Sequence, residues 1–149
     1  MISFTPKISN EIKDILNHKD LLLSIGENVG YPYSIILPNA IKDNIDSFRS
    51  VFDNHKLNYK IFFAHKCNKS SEVIKECLKN NINVDVSSLN ELMHTLENGY
   101  TGNNILATGP KNKDFIRCAI ENNCIISIDS LCELETIINI SSELKKYVQ

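Results

Sequence analysis

No surplus of positive charge runs through this 149-residue sequence: 16 Lys and Arg stand against 18 Asp and Glu, a net charge of -2. A protein that grips a polyanion needs cations to neutralise phosphates, so no nucleic-acid partner is expected. The sequence also lacks any run of about 18 apolar residues, which argues against a membrane-spanning helix. Its start, Met1-Ile2-Ser3-Phe4-Thr5-Pro6-Lys7-Ile8-Ser9, has neither the basic segment nor the apolar stretch of a secretion signal. A cytoplasmic protein is expected. The five cysteines, at 67, 77, 118, 124 and 132, include no Cys-x-x-Cys pair and no His spacing of a zinc site. They read as reduced thiols, with Cys77, Cys118 and Cys132 as small packing residues in helix-like segments.

What is present is ordinary for a soluble globular chain, with 42% hydrophobic and 23% charged residues. A chain of this size folding as one domain buries about 70% of its unfolded surface. A weakly helical stretch at 9–17 and a loop-like Gly26 to Gly30 segment come first, and residues 1–30 read as an N-terminal extension. From residue 31 the pattern turns regular. Short apolar runs at 34–37, 59–64, 82–86, 104–107 and 124–128 each precede a one-sided helical pattern, such as Ile41, Ile45, Phe48, Val51 and Phe52. Asn39, Ser70-Ser71, Ser87-Ser88 and Asp129-Ser130 stand where helix-capping side chains belong, and Gly99 and Gly102 suit a helix exit and turn.

Alternation of strand and helix at roughly 20 residues per unit demands parallel strands with right-handed crossovers. The expected fold is therefore α/β. A closed (β/α)8 barrel takes about 250 residues, so this sequence would supply roughly the first half of one. Tyr147-Val148-Gln149 reads as the lead-in to a further strand, and the chain reads as truncated.

The segment with chemical promise is Phe62-Phe63-Ala64-His65-Lys66-Cys67-Asn68. Strand alternation puts Phe62, Ala64 and Lys66 on one face and Ile61, Phe63 and His65 on the other. A lysine as the last inward residue of a barrel strand sits on the catalytic face, above a small Ala64 that leaves room for a ring. Position alone favours a solvated strand-end lysine, and it is a family resemblance that reverses this. His65 should face the outer helices as a packed histidine.

That segment resembles the Tyr-Ala-x-Lys-Ala-Asn stretch of the fold-type III pyridoxal-phosphate (PLP) enzymes, the ornithine, diaminopimelate and arginine decarboxylase group. Three further segments are similar to that group's signatures, in order. They are Val84-Asp85-Val86-Ser87-Ser88-Leu89-Asn90-Glu91-Leu92, Leu106-Ala107-Thr108-Gly109-Pro110-Lys111 and Ile128-Asp129-Ser130-Leu131-Cys132-Glu133-Leu134. The resemblance covers residues 31–138. It departs at His65, where a small or aliphatic residue is usual, and at Phe62, which lacks a tyrosine hydroxyl.

By resemblance, residues 31–149 form the N-terminal portion of a PLP-binding, alanine-racemase-like TIM-type barrel with four of its strands, and the strand at 34–37 belongs with a second, β-rich domain. Lys66 would be the Schiff-base lysine. Asp85 would orient or charge-balance it, or else cap the next helix; Asn68 would bond loop backbone or contact the cofactor. Ser88 and Glu91 have the spacing of a capping box, and Gly109-Pro110 shapes a turn. The resemblance implies a small-molecule amino-acid substrate and a homodimer for the full-length enzyme. The group's ring-stacking histidine, phosphate loops and pyridine-nitrogen partner come later in the chain, so a fragment of this length is expected to be inactive alone. Two other readings are a racemase-like or PLP-carrier protein and a truncated, non-catalytic binding or assembly module.

Overall fold

The computed structural model describes residues 8–149, which divide between Ile36 and Leu37 into two compact units. Residues 1–7 of the expected extension, and the leader reading made on them, lie outside the described residues.

In the first unit, α1 (Asn10–Asn17) starts where Ser9 Oγ accepts the Ile12 N–H at 3.2 Å. It is followed by α2 (Lys19–Val29). The Gly26 to Gly30 segment is thus not a loop: Gly26 lies buried within α2, and only Gly30 leaves it, at φ 88°. The reason is the Tyr31 ring, which folds back so closely that a Cβ on Gly26 would stand 2.2 Å from its Cζ. A missing side chain here serves close packing rather than a turn.

In the second unit, α3 (Asn39–Asn54) begins behind Pro38, whose fixed φ suits a helix start. Asn39 is the first helical residue and not the cap. The expected strand at 34–37 is absent, because a strand exists through hydrogen bonds to a neighbour and this backbone finds none among the described residues. Four strands follow: β1 (Phe62–Ala64), β2 (Asn83–Val86), β3 (Ile105–Ala107) and β4 (Ile125–Ile126), all parallel in the order 1-2-3-4. Between and after them run α4 (Ser71–Lys79), α5 (Leu89–Glu97), α6 (Lys113–Glu121) and α7 (Leu131–Leu144). Serine or asparagine side chains cap all four, from Ser70, Ser88, Asn112 and Ser130. This is the expected run of βα units of a PLP-enzyme barrel.

Alternation gives the sheet two unlike faces. Val84, Val86, Ile105, Ala107 and Ile126 point to the helices and are buried with Ile74, Cys77, Leu92, Phe115, Ile116 and Ile137. Burial pushes the thiols of Cys77 and Cys124 up to about 12, so both are inert packing groups. Cys132, expected to pack, is exposed on the first turn of α7. On the opposite face, Ala64, Asp85, Leu106 and Ile125 pair in register as one row, each half-buried. At the edge of β4 the Ile126 N–H donates to the Gln149 carbonyl at 2.9 Å, so the last residues lie alongside that strand.

Leu92→Ala should cost about 2–5 kcal/mol, because Leu92 is fully buried and its removal leaves a cavity. Met93→Ala, on the exposed side of the same helix, should change little. Urea unfolding of both variants checks the pair.

Candidate active site

Lys66 does not end a strand. The ladder stops at Ala64, and His65–Cys67 form a single 3-10 turn closed by the Asn68 N–H donating to the His65 carbonyl at 3.1 Å. The turn, and not the alternation of β1, therefore decides where the amine points. Lys66 is exposed, and among the described residues its amine forms no ion pair and no side-chain hydrogen bond. It stands at the C-terminal end of the sheet, two residues beyond the small Ala64.

Asp85 is the register partner of Ala64 on β2. It does not cap α5, since Ser88 does that. Instead Thr108 Oγ1, just beyond β3, donates to Asp85 Oδ1 at 2.5 Å, which holds the carboxylate on the half-buried face. Nothing in the sequence pointed to Thr108, beyond its place two residues after Leu106 on the same face. Lys66 and Asp85 share an end of the sheet but are not in ion-pair contact. Asn68 Oδ1 accepts the Ser70 N–H at 3.0 Å, the loop-backbone role expected of it.

Two carboxylates tie the strand-end loops together by the same device. The Glu91 N–H donates to Ser88 Oγ at 3.2 Å, and Glu91 Oε2 accepts the Ser87 N–H at 2.9 Å. The reciprocal bond of the expected box thus falls one residue earlier than the cap itself. Glu133 repeats this, its N–H donating to Ser130 Oγ at 3.2 Å while its Oε2 accepts the Asp129 N–H at 2.6 Å. Each also meets a lysine from the preceding loop. Lys69 Nζ lies 3.7 Å from Glu91 Oε1, and Lys111 Nζ lies 3.1 Å from Glu133 Oε1.

The second pair is buried, with the Lys111 side chain 0% exposed. Its ammonium donates to the carbonyls of Gly109 at 2.5 Å and Ser127 at 2.7 Å as well, so all three N–H donors are used. Burial pulls the Glu133 carboxyl up, but the Asp129 and Lys111 N–H groups and the Lys111 charge outweigh it and hold the group below its usual 4.5. In the sequence Lys111 and Glu133 stood out only as members of two segments similar to the decarboxylase group's signatures.

His65 faces the helices, as expected, and is 2% exposed. Its Nε2 lies 2.8 Å from Nδ1 of His94 on α5, and His94 Nε2 lies 2.8 Å from Ser71 Oγ on α4. Among the described residues no group of three His, Cys, Asp or Glu side chains is placed to hold a metal ion, and no helix is long and apolar enough to cross a membrane.

Residues 39–148 match the family of pyridoxal-dependent decarboxylases, pyridoxal binding domain. Over 136 residues the chain is 32% identical to the uncharacterised protein y4yA of Sinorhizobium fredii, covering 90% of this chain and 30% of that protein. It is 31% identical over 118 residues to the diaminopimelate decarboxylase of Staphylococcus aureus, covering 78% of this chain and 28% of the enzyme. The crystal structure of diaminopimelate decarboxylase from M. jannaschi shares the fold at TM-score 0.73 and 24% identity, over 84% of this chain and 30% of that one. The chain spans about three tenths of the length of the curated relatives it matches.

Glu133→Gln leaves the Lys111 ammonium buried without a counter-charge and should cost about 3–5 kcal/mol in urea unfolding at pH 7. Because the folded carboxyl lies below its unfolded value of 4.5, its contribution is present above that pH and is lost as pH falls through the folded value. The gap between the parent chain and the variant should therefore narrow in acid. A gap that is constant from pH 7 to pH 3 contradicts this assignment.

Proposed function

The chain belongs to the pyridoxal binding domain family of the pyridoxal-dependent decarboxylases, and on that premise we propose that residues 31–149 are the N-terminal part of a PLP-binding barrel in an amino-acid decarboxylase. Lys66 is the residue that attaches the cofactor. One observation carries this reading: an exposed primary amine, without a counter-ion among the described residues, stands on the turn directly after β1, at the end of the sheet where the half-buried row through Ala64 and Asp85 opens. An aldehyde needs such an amine, and small Ala64 leaves space for a ring beside it, so these residues fit PLP at its reactive end.

When bound, the cofactor supplies an electron sink for a bond to the substrate's α-carbon. The chain's own residues hold and orient. Lys66 supplies the anchoring amine. Asp85, fixed by Thr108, places a negative charge on the same face, one strand away. Asn68 shapes the loop after the turn and keeps its amide nitrogen available at the mouth of the site. The buried Lys111–Glu133 pair holds the loops after β3 and β4 in place around the same end of the sheet.

The substrate is an amino acid of the diamino kind, the class named for the diaminopimelate decarboxylases similar to this chain. The full-length enzyme is a cytoplasmic homodimer. The 149 residues alone do not decarboxylate, since beside the anchoring lysine the described residues supply four strands of an eight-stranded barrel.

Incubating the purified chain with PLP and cyanoborohydride, then mapping pyridoxyl-modified lysines by mass spectrometry, tests the assignment. Modification should concentrate at Lys66 and fall to the level of the other lysines in Lys66→Ala. Modification of Lys66 no greater than that of exposed Lys75 or Lys79 overturns it. Carbon dioxide release from diaminopimelate by the chain alone would refute the expected inactivity.

A further inference from the structure

One buried group has no function in the site described so far. His65 immediately precedes Lys66 in the same 3-10 turn, is 2% exposed, and its Nδ1 has no hydrogen-bond partner among the described residues. Its other nitrogen enters a chain of two 2.8 Å contacts through His94 to Ser71, and the two imidazoles meet edge to face with centroids 5.0 Å apart. We propose that His65 is a positioning residue for Lys66: the His65–His94–Ser71 relay locks the turn that presents the lysine amine, and it locks it only while His65 is neutral. This extends the reading of Lys66 as the anchoring amine and rests on it.

The proton inventory gives the reason. With His65 neutral, its Nε2–H donates to His94 Nδ1, the His94 Nε2–H donates to Ser71 Oγ, and His65 Nδ1 carries only a lone pair. That is the one assignment of the neutral pair that leaves no buried N–H without an acceptor. A proton added to His65 must go to Nδ1, where it becomes a buried, charged N–H for which no other described residue offers an acceptor. The turn must then open to bring it to water, and the backbone of Lys66 moves with it.

The charges around His65 come from α5 and from the loop after the turn. Burial is the largest influence and lowers its proton affinity; Glu91 on α5 raises it, His94 on α5 lowers it, the backbone of His65 itself raises it and Lys69 after the turn lowers it, leaving it below the ordinary 6.5. Ser71 on α4 adds a neutral hydroxyl. Since the unfolded chain binds the proton at higher pH than the folded one, the lock weakens as pH falls below 6.5.

Amide-resolved hydrogen exchange reads the turn directly, through the Asn68 N–H that closes it. After correction for intrinsic rates, His94→Ala should lower Asn68 protection about tenfold at pH 7.5, the effect of losing one hydrogen bond. Protection within α6 should not move. In the parent chain Asn68 protection should fall selectively between pH 7 and pH 5. His65→Gln, which cannot take up the proton, should abolish that pH dependence. The same variants scored for pyridoxyl labelling of Lys66 relative to Lys75 should follow the same order. Asn68 protection that is unchanged in His94→Ala, or a pH response that survives in His65→Gln, overturns the proposal. The exchange readout needs no cofactor, so it stands or falls separately from the assignment of Lys66.

Discussion

Parallel pairing of β1 with β2 and of β2 with β3 sets a register in which Phe63, Val84 and Ile105 share one face and Ala64, Asp85 and Leu106 the other. The apolar face drives folding, because Val84 and Ile105 are withdrawn completely from water against α4 to α7. Whatever sits on the other face is brought together as a by-product of that burial. A slip of one residue would turn Asp85 into the core and Val84 out of it, so the same hydrophobic pattern that stabilises the sheet also fixes the site.

Strands of two to four residues cannot hold their own ends, and the molecule compensates at the loops. Glu91 and Glu133 each bind a backbone N–H ahead of a helix while a serine caps that helix, and each meets a lysine from the loop before. The two ties differ in depth. Lys69 is largely exposed and its contact is loose, whereas Lys111 is sealed and uses every donor it has. The firmer tie lies after β3 and β4; beside Lys66, after β1, only the looser one is present. That contrast fits the proposal that Lys66 is placed by a separate device, the histidine relay behind the turn.

The pattern of short apolar runs and one-sided helices was enough to see the parallel α/β order and three of the four helix caps around the sheet, because hydrophobic period and capping are local properties. Locality also marks where the reading stopped. Residues 34–37 look like a strand but have no partner to pair with among the described residues, and Gly26 looks like a loop residue until Tyr31 packs on it. The strand reading of Lys66 failed for a related reason: Phe62 and Ala64 alternate correctly, but the ladder to β2 ends at Ala64 and the chain is free to turn.

By itself the sequence determined the α/β fold, its order of elements, the capping serines and, through four ordered segments, the family; these rest on patterns within a few residues of one another. Only the tertiary structure decided what surrounds that lysine. Asp85 meets Thr108 across 23 residues of sequence, Lys111 meets Glu133 across 22, and His65 meets His94 across 29. Such pairs depend on how parallel strands and their helices are stacked, and no periodicity along the chain encodes that distance.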